Sequence, residues 1–204
     1  MIMNYIRKLQ SFIQNNKEYI CNINEEDTAC ILIEELIRTL GWNTENLSEV
    51  KRRYPNGLIN AKSIRSRIEM EQNDTLGDYI LIHNEYKIVI EVKPLSKSQL
   101  WGNQFHFKKL LNNNSCKCST CRAVRQQILK LLDLCIKECS VKYFVWTTGD
   151  TIIIWEIDKN LTSEKVFKNK SENRIFVNFY KCMKCVRKCK KCNIQRIEEL
   201  LSKK

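Results

Sequence analysis

Two apolar runs on either side of a two-residue polar turn constrain this chain more than any other stretch. They are Tyr79-Ile80-Leu81-Ile82 and Ile88-Val89-Ile90-Glu91-Val92, around Asn84-Glu85. Runs of this length, rich in β-branched residues and bounded by turn residues, predict a β-hairpin. Counting outwards from the turn sets His83 against Tyr86, Ile82 against Lys87, Ile80 against Val89 and Asp78 against Glu91. Directly opposed residues share one face, with Cβ atoms roughly 4.5–5.5 Å apart. Lys93 lies two residues beyond Glu91 and so on that same face. The hairpin therefore gathers two carboxylates and one ammonium at the end of an otherwise apolar sheet. Like charges directly opposite each other destabilise a sheet. A divalent cation between the carboxylates would give the pattern a reason.

The chain has 204 residues, enough for one domain with a sizeable core, or one domain and a small appendage. Its 43% hydrophobic and 28% charged residues describe a globular chain, not a disordered one. The formal net charge of +12 favours a polyanionic partner, nucleic acid or an anionic membrane surface. The N-terminal stretch from Met1 to Phe12 carries charges and lacks the apolar centre of a signal sequence. No apolar run approaches the roughly 18 residues of a membrane span. A cytosolic protein with no membrane partner is the expectation.

Apolar residues at Ile2, Tyr5, Ile6, Leu9, Phe12 and Ile13 predict an amphipathic helix within Met1–Ile20. A second helix starts at Asn24, a good N-cap, with Asp27 three residues on in capping-box position. Its buried stripe is Ala29, Ile33, Leu36, Ile37 and Leu40, and Gly41 closes it. Glu25 falls on that stripe at the first turn, where an acid also complements the helix dipole. Glu34 lies about half a turn from Glu25 at 3.6 residues per turn, so Glu34 and Glu35 are expected in solvent. The stretch from Thr44 to Leu76 is the least legible. It holds the turn Pro55-Asn56-Gly57 and a run, Ser63–Met70, that reads as a strand with Arg65 and Arg67 on one face, suited to phosphate or simply solvated. Beyond the hairpin, Pro94 stops the strand. A long helix follows Cys116-x-Cys118-x-x-Cys121, with Val124, Ile128, Leu131, Leu132, Cys135 and Cys139 as its apolar stripe and Gln127 at the stripe's border. Cys135 and Cys139 read as core thiols. Strands are predicted at Val141–Thr147, Thr151–Ile157 and Arg174–Phe179, and a short helix at Ile194–Leu201.

Asp78 and Glu91 are hard oxygen donors of the kind that hold Mg²⁺ together with water and phosphate oxygens. An acidic helix start, then Asp, then Glu-x-Lys on adjacent strands resembles the PD-(D/E)XK nuclease superfamily. Within it, the likeness is to the N-terminal nuclease domain of type I restriction enzyme subunits and their small stand-alone relatives. The matching segments are Asn24-Glu25-Glu26-Asp27-Thr28 running to Leu40-Gly41-Trp42, Gly77-Asp78-Tyr79-Ile80-Leu81, Ile90-Glu91-Val92-Lys93-Pro94, and Val141 to Gly149 followed by Ile152 to Ile157. Glu-x-Lys alone is a weak signal; the four segments in this order are a more specific one. The resemblance implies an α/β restriction-endonuclease-like core, a central mixed β-sheet flanked by helices, over residues 1–180. It implies hydrolysis of DNA phosphodiester bonds with Mg²⁺ or Mn²⁺. It assigns the metal to Glu25, Asp78 and Glu91, and water or phosphate positioning to Lys93. Relatives often carry a glutamine on the helix after the lysine strand; Gln127 is the better match and Gln104 the second. The chain departs from that pattern where a cysteine-containing insertion, 112–121, precedes the helix. For cuts in both strands a homodimer is expected. The rival function is a non-catalytic DNA-binding protein with a zinc-stabilised basic tail.

That tail, 181–204, contains Cys182-x-x-Cys185-x-x-x-Cys189-x-x-Cys192. Four thiolates so spaced can close a tetrahedral Zn²⁺ site, although the gap between the pairs is short for a zinc ribbon. One pair can instead combine with Cys116, Cys118 and Cys121. An iron–sulfur cluster, free thiols and, in a hyperthermophile, disulfides are the alternatives. Lys184, Arg187, Lys188 and Lys191 interleave with these cysteines and make the tail a DNA-contacting candidate. Each phosphate so neutralised would steepen the log–log salt dependence of binding by about 0.9.

Overall fold

The computed structural model describes residues 2–52, 77–97, 119–168, 174–179 and 194–203. The predicted strand at Ser63–Met70 and the cysteine tail from Cys182 to Cys192 lie outside them. The described residues form a six-stranded mixed sheet flanked by helices. The strands are β1 (Val50–Arg52), β2 (Tyr79–Ile82), β3 (Lys87–Val92), β4 (Val141–Thr147), β5 (Thr151–Glu156) and β6 (Arg174–Asn178), in spatial order β1-β2-β3-β4-β5-β6. All neighbours are antiparallel except β3 and β4. A parallel pair needs a long crossover, and here the connection carries the long helix Ser119–Lys137.

The hairpin register is the one obtained by counting: Ile82 pairs with Lys87, Ile80 with Val89 and Tyr79 with Ile90. His83 N–H donates to the Tyr86 carbonyl, and the two rings stack with centroids 4.9 Å apart. β1 was not foreseen; three residues are too few for a period of two to register.

The two faces of the sheet bury different sets. One face presents Tyr79, Leu81, Ile88, Ile90, Val92, Val145, Ile152 and Ile154 to the N-terminal helices. These are α1 (Ile2–Asn15), α2 (Lys17–Ile20) and the run Glu25–Thr39. The other presents Val89, Phe144, Trp146, Ile153 and Trp155 to the Ser119–Lys137 helix and to Ser163–Lys168. Alternation of β4 residues between the two sets is the period-two rule in operation. Helix α1 buries Ile2, Tyr5, Ile6, Leu9 and Ile13 as its spacing predicts. At about 1.5–3 kcal/mol per large apolar side chain, that burial outweighs any intrinsic helix propensity. The C-terminal helix, Ile194–Leu201, belongs to the same layer. Ile197 and Leu201 are in its core, Leu201 O accepts from Trp42 Nε1 at 2.7 Å, and Lys203 N–H donates to Leu40 O.

The Glu25–Thr39 helix takes Asn24 as its N-cap as the sequence suggests, but without the reciprocal Asp27 bond of a capping box. Asn24 Oδ1 accepts from Asp27 N–H at 2.7 Å, while the Asp27 carboxylate takes the Tyr19 hydroxyl. It also ends as suggested: Gly41 adopts φ +90°, Gly41 N–H bonds Arg38 O, and Trp42 N–H bonds Ile37 O. Its middle differs. The helix has three parts, α3 (Glu25–Thr28), a π-helical turn (Ala29–Ile33) and α4 (Glu34–Thr39). A π turn inserts an extra residue and retards the helix by about 100°. That rotation brings Glu34 into the protein, where it is 2% exposed and paired with Arg38 and Arg52. The expectation that Glu34 is solvated is therefore wrong. Cys139 is a second correction: it is exposed, because the long helix stops at Lys137 before the stripe reaches it. Cys135 is fully buried, as expected.

Candidate active site

The carboxyl ends of the parallel strands β3 and β4 lie side by side, the end of an α/β sheet at which ligands are usually bound. Lys93 extends β3 by one more bond, its N–H donating to Thr147 O at 2.8 Å. Glu91 is 3% exposed and projects from the face covered by the Ser119–Lys137 helix, where its Oε1 accepts from Gln127 Nε2 at 2.7 Å. The same oxygen accepts from Lys93 Nζ at 2.7 Å. Lys93 Nζ also donates to Glu25 Oε2 at 3.0 Å. Glu25 arrives from the opposite helical layer, at the start of α3, where the helix dipole favours a negative charge. The cluster therefore joins both helical layers across the end of the sheet.

Asp78 sits just before β2, with its N–H donating to Ile90 O and its Oδ2 accepting from Val92 N–H at 2.7 Å. Gly77 makes this approach feasible. Its φ is +143°, and a Cβ there would lie 2.9 Å from both Ile90 O and Val89 Cγ1. Burial of the Asp78 carboxyl pushes its pKa up to about 7, assisted by the charges of Glu91 and Glu25 and opposed by the Val92 N–H and Lys93. For Lys93, burial disfavours the charged form, but Glu91 and Glu25 together prevail and its pKa is raised.

The structure thus brings Glu25, Asp78, Glu91, Lys93 and Gln127 to one end of the sheet. The partner of Asp78 that sequence reasoning missed is the Val92 backbone; it is one residue past the counted pair and visible only once the register is extended. Of the remaining predicted site residues, Cys121 is buried at the start of its helix beside Val124. Arg65, Arg67, Gln104, Cys116, Cys118, Cys182, Lys184, Cys185, Arg187, Lys188, Cys189, Lys191 and Cys192 lie outside the described residues. Lys and Arg barely outnumber Asp and Glu among the described residues, so most of the net +12 belongs to the stretches outside them.

The three carboxylates are hard oxygen donors, the chemistry that Mg²⁺ and Mn²⁺ require. Among the described residues no three acidic, histidine or cysteine side chains are already grouped to coordinate an ion. The Lys93 ammonium stands between Glu25 and Glu91 and neutralises charge there. Among the described residues no helix is long and apolar enough to cross a membrane. Comparison of the chain with family models, with curated proteins and with solved structures gives no match.

Proposed function

We propose that this chain is a metal-dependent deoxyribonuclease, an endonuclease built on a restriction-endonuclease-like core. One observation carries the reading. The Lys93 ammonium lies within hydrogen-bond reach of Glu25 and Glu91 together, beside a buried Asp78, at the carboxyl end of β3. Glu25, Asp78 and Glu91 would hold Mg²⁺ or Mn²⁺. Bound there, the ion would polarise a phosphate oxygen and lower the pKa of a bound water. Lys93 would donate to that water or to a phosphate oxygen, offsetting negative charge as the water oxygen bonds to phosphorus. The water would give up a proton to solvent, the phosphorus–oxygen bond to the leaving nucleotide would break, and that oxygen would take up a proton from solvent. Gln127 would keep the shared Glu91 oxygen oriented through its 2.7 Å bond.

The net charge of +12 supports a nucleic-acid partner, with Arg65, Arg67 and the basic tail as its expected contacts. The cysteines of that tail would hold a structural Zn²⁺; metal analysis showing none would remove this part. The test of the activity is a panel of duplex, flap, branched and single-stranded DNA with Mg²⁺ or Mn²⁺ and an EDTA control. Cleavage in metal alone is expected. Asp78→Ala, Glu91→Ala and Lys93→Ala should lose it and keep DNA binding. Binding without cleavage by the native chain would instead identify a DNA-binding module.

A further inference from the structure

Glu25 reaches Lys93 from a helix 68 residues earlier in the chain, and its carboxylate is still 29% exposed. Ile23 and Leu95 are buried in one core cluster and help pack the start of α3 against the end of β3. Two hydrogen bonds, one on each side of Glu25, add direction to that packing. Behind it, Leu95 N–H donates to Thr28 Oγ1 at 2.9 Å. Ahead of it, Ser96 Oγ donates to Ile23 O at 2.9 Å. The Thr28 hydroxyl also donates to Asn24 O at 2.8 Å, so one oxygen ties the first turn of the helix to itself and to the strand exit. Thr28 is fully buried, as is Leu95. Pro94 joins this exit to Lys93 with its φ held near −65°. A buried threonine in a helix's first turn needs a partner for its hydroxyl, which otherwise competes with the backbone. Valine would fill the same volume, and only the hydroxyl accepts the Leu95 N–H.

We propose that Thr28 and Ser96 form a clasp that positions Glu25 at the site, with Thr28 as the principal positioning residue. The inference rests on the reading of Glu25, Asp78, Glu91 and Lys93 as a metal-dependent nuclease site. It adds that the Glu25 corner is aligned by a connection that touches neither substrate nor metal. Misplacing a reacting group by about 1 Å can cost on the order of 100-fold in rate. Partial slippage at one corner should therefore cost Thr28→Val roughly tenfold in kcat with KM little changed. Thr28→Ser retains the hydroxyl and should recover most of the rate.

The experiment pairs crystal structures of the native chain, Thr28→Val, Thr28→Ser and Ser96→Ala with their cleavage kinetics. Ser96→Ala is the milder variant, should Thr28→Val fail to fold. The expected result is a Glu25 carboxylate displaced from Lys93 in Thr28→Val, less so in Ser96→Ala, and in place in Thr28→Ser. The rate losses should follow the same order, and Thr28→Val should add nothing to Glu25→Gln. Glu25 remaining beside Lys93 in both clasp variants overturns the inference, whatever the rates. So does a displaced Glu25 with unchanged kcat, or a Thr28→Val loss that persists undiminished on top of Glu25→Gln. If the native chain cuts no DNA, the nuclease reading falls, while displacement of Glu25 still decides whether the clasp exists.

Discussion

Two buried carboxylates in this molecule sit in opposite kinds of surroundings. Glu34, on the face of the N-terminal helices, is paired with two guanidinium groups: Arg38 at 3.0 Å and Arg52 at 3.3 Å. Arg52 in turn donates to Thr44 O, and Arg38 Nε to Thr44 Oγ1. Glu35 and Glu45 lie beside the same two guanidinium groups, so charges of both signs interleave there and neutralise one another locally. At the end of β3, by contrast, Glu91, Glu25 and Asp78 share one ammonium among the described residues, and the Asp78 carboxyl is driven up to about 7. A buried ion cluster that neutralises itself can be explained by structure alone. At the end of β3, burial together with the neighbouring charges of Glu91 and Glu25 raises the Asp78 carboxyl, a cost that the cation proposed above would relieve.

The sharpest contrast comes from the same substitution in the two places. Glu91→Gln should reduce cleavage by about 1,000-fold or to background, because it would weaken the hold on the ion proposed to stabilise the phosphate's developing charge. Glu34→Gln should spare cleavage per folded molecule but lose about 1.5 kcal/mol in urea denaturation, because Arg38 and Arg52 each lose a charged acceptor while keeping other partners. Equal effects of the two on stability would erase the distinction.

The next effect concerns pH. Asp78 in the metal-free fold holds its proton up to about pH 7, whereas in the unfolded chain its pKa is 3.8. Between these values the folded state binds more protons, so stability falls as pH rises. The Asp78 contribution is fully present below the unfolded value and is lost by the time pH passes 7. Denaturation at pH 5 and pH 8 should show a drop on the order of 3 kcal/mol that Asp78→Asn lacks. A native profile identical to that of Asp78→Asn would mean the carboxyl is not under strain. Added Mg²⁺ should act in the same region. At a hundred times its Kd it would raise stability by about 2.7 kcal/mol in the native chain, with little gain in Glu91→Gln. Smallest is Gln127→Ala: loss of one hydrogen bond to a charged oxygen, about 1.5 kcal/mol or roughly tenfold in rate, read by single-turnover cleavage.

The same two regions show what sequence reasoning reaches. Asp78, Glu91 and Lys93 were legible because a two-residue turn and a period of two leave only counting to do. Gln127 was legible as a polar residue bordering an apolar stripe. Glu25 was named by its place at the helix start, but its docking onto Lys93 depends on Thr28 and Ser96 meeting across the fold. Glu34 was misread for two reasons, each tertiary. The π turn changed the helical phase, and its partner Arg52 lies on a strand of three residues. Cys139 was misread because no glycine or proline marks the end of its helix. The cap comes instead from Lys159, whose Nζ donates to Cys135 O and Glu138 O from 24 and 21 residues away.

The parallel pairing of β3 with β4 also bears on the order of assembly. The β2–β3 and β4–β5 hairpins close over short turns, whereas Lys87 meets Val141 only across an intervening crossover. Loop-closure entropy favours early local hairpins and delays the distant pairing. Glu91 and Lys93 therefore acquire Gln127 and the Thr147 carbonyl in the same late event that joins the two halves of the sheet. A half-folded chain would carry the hairpin but no assembled cluster, so the proposed site would form only once the topology is complete.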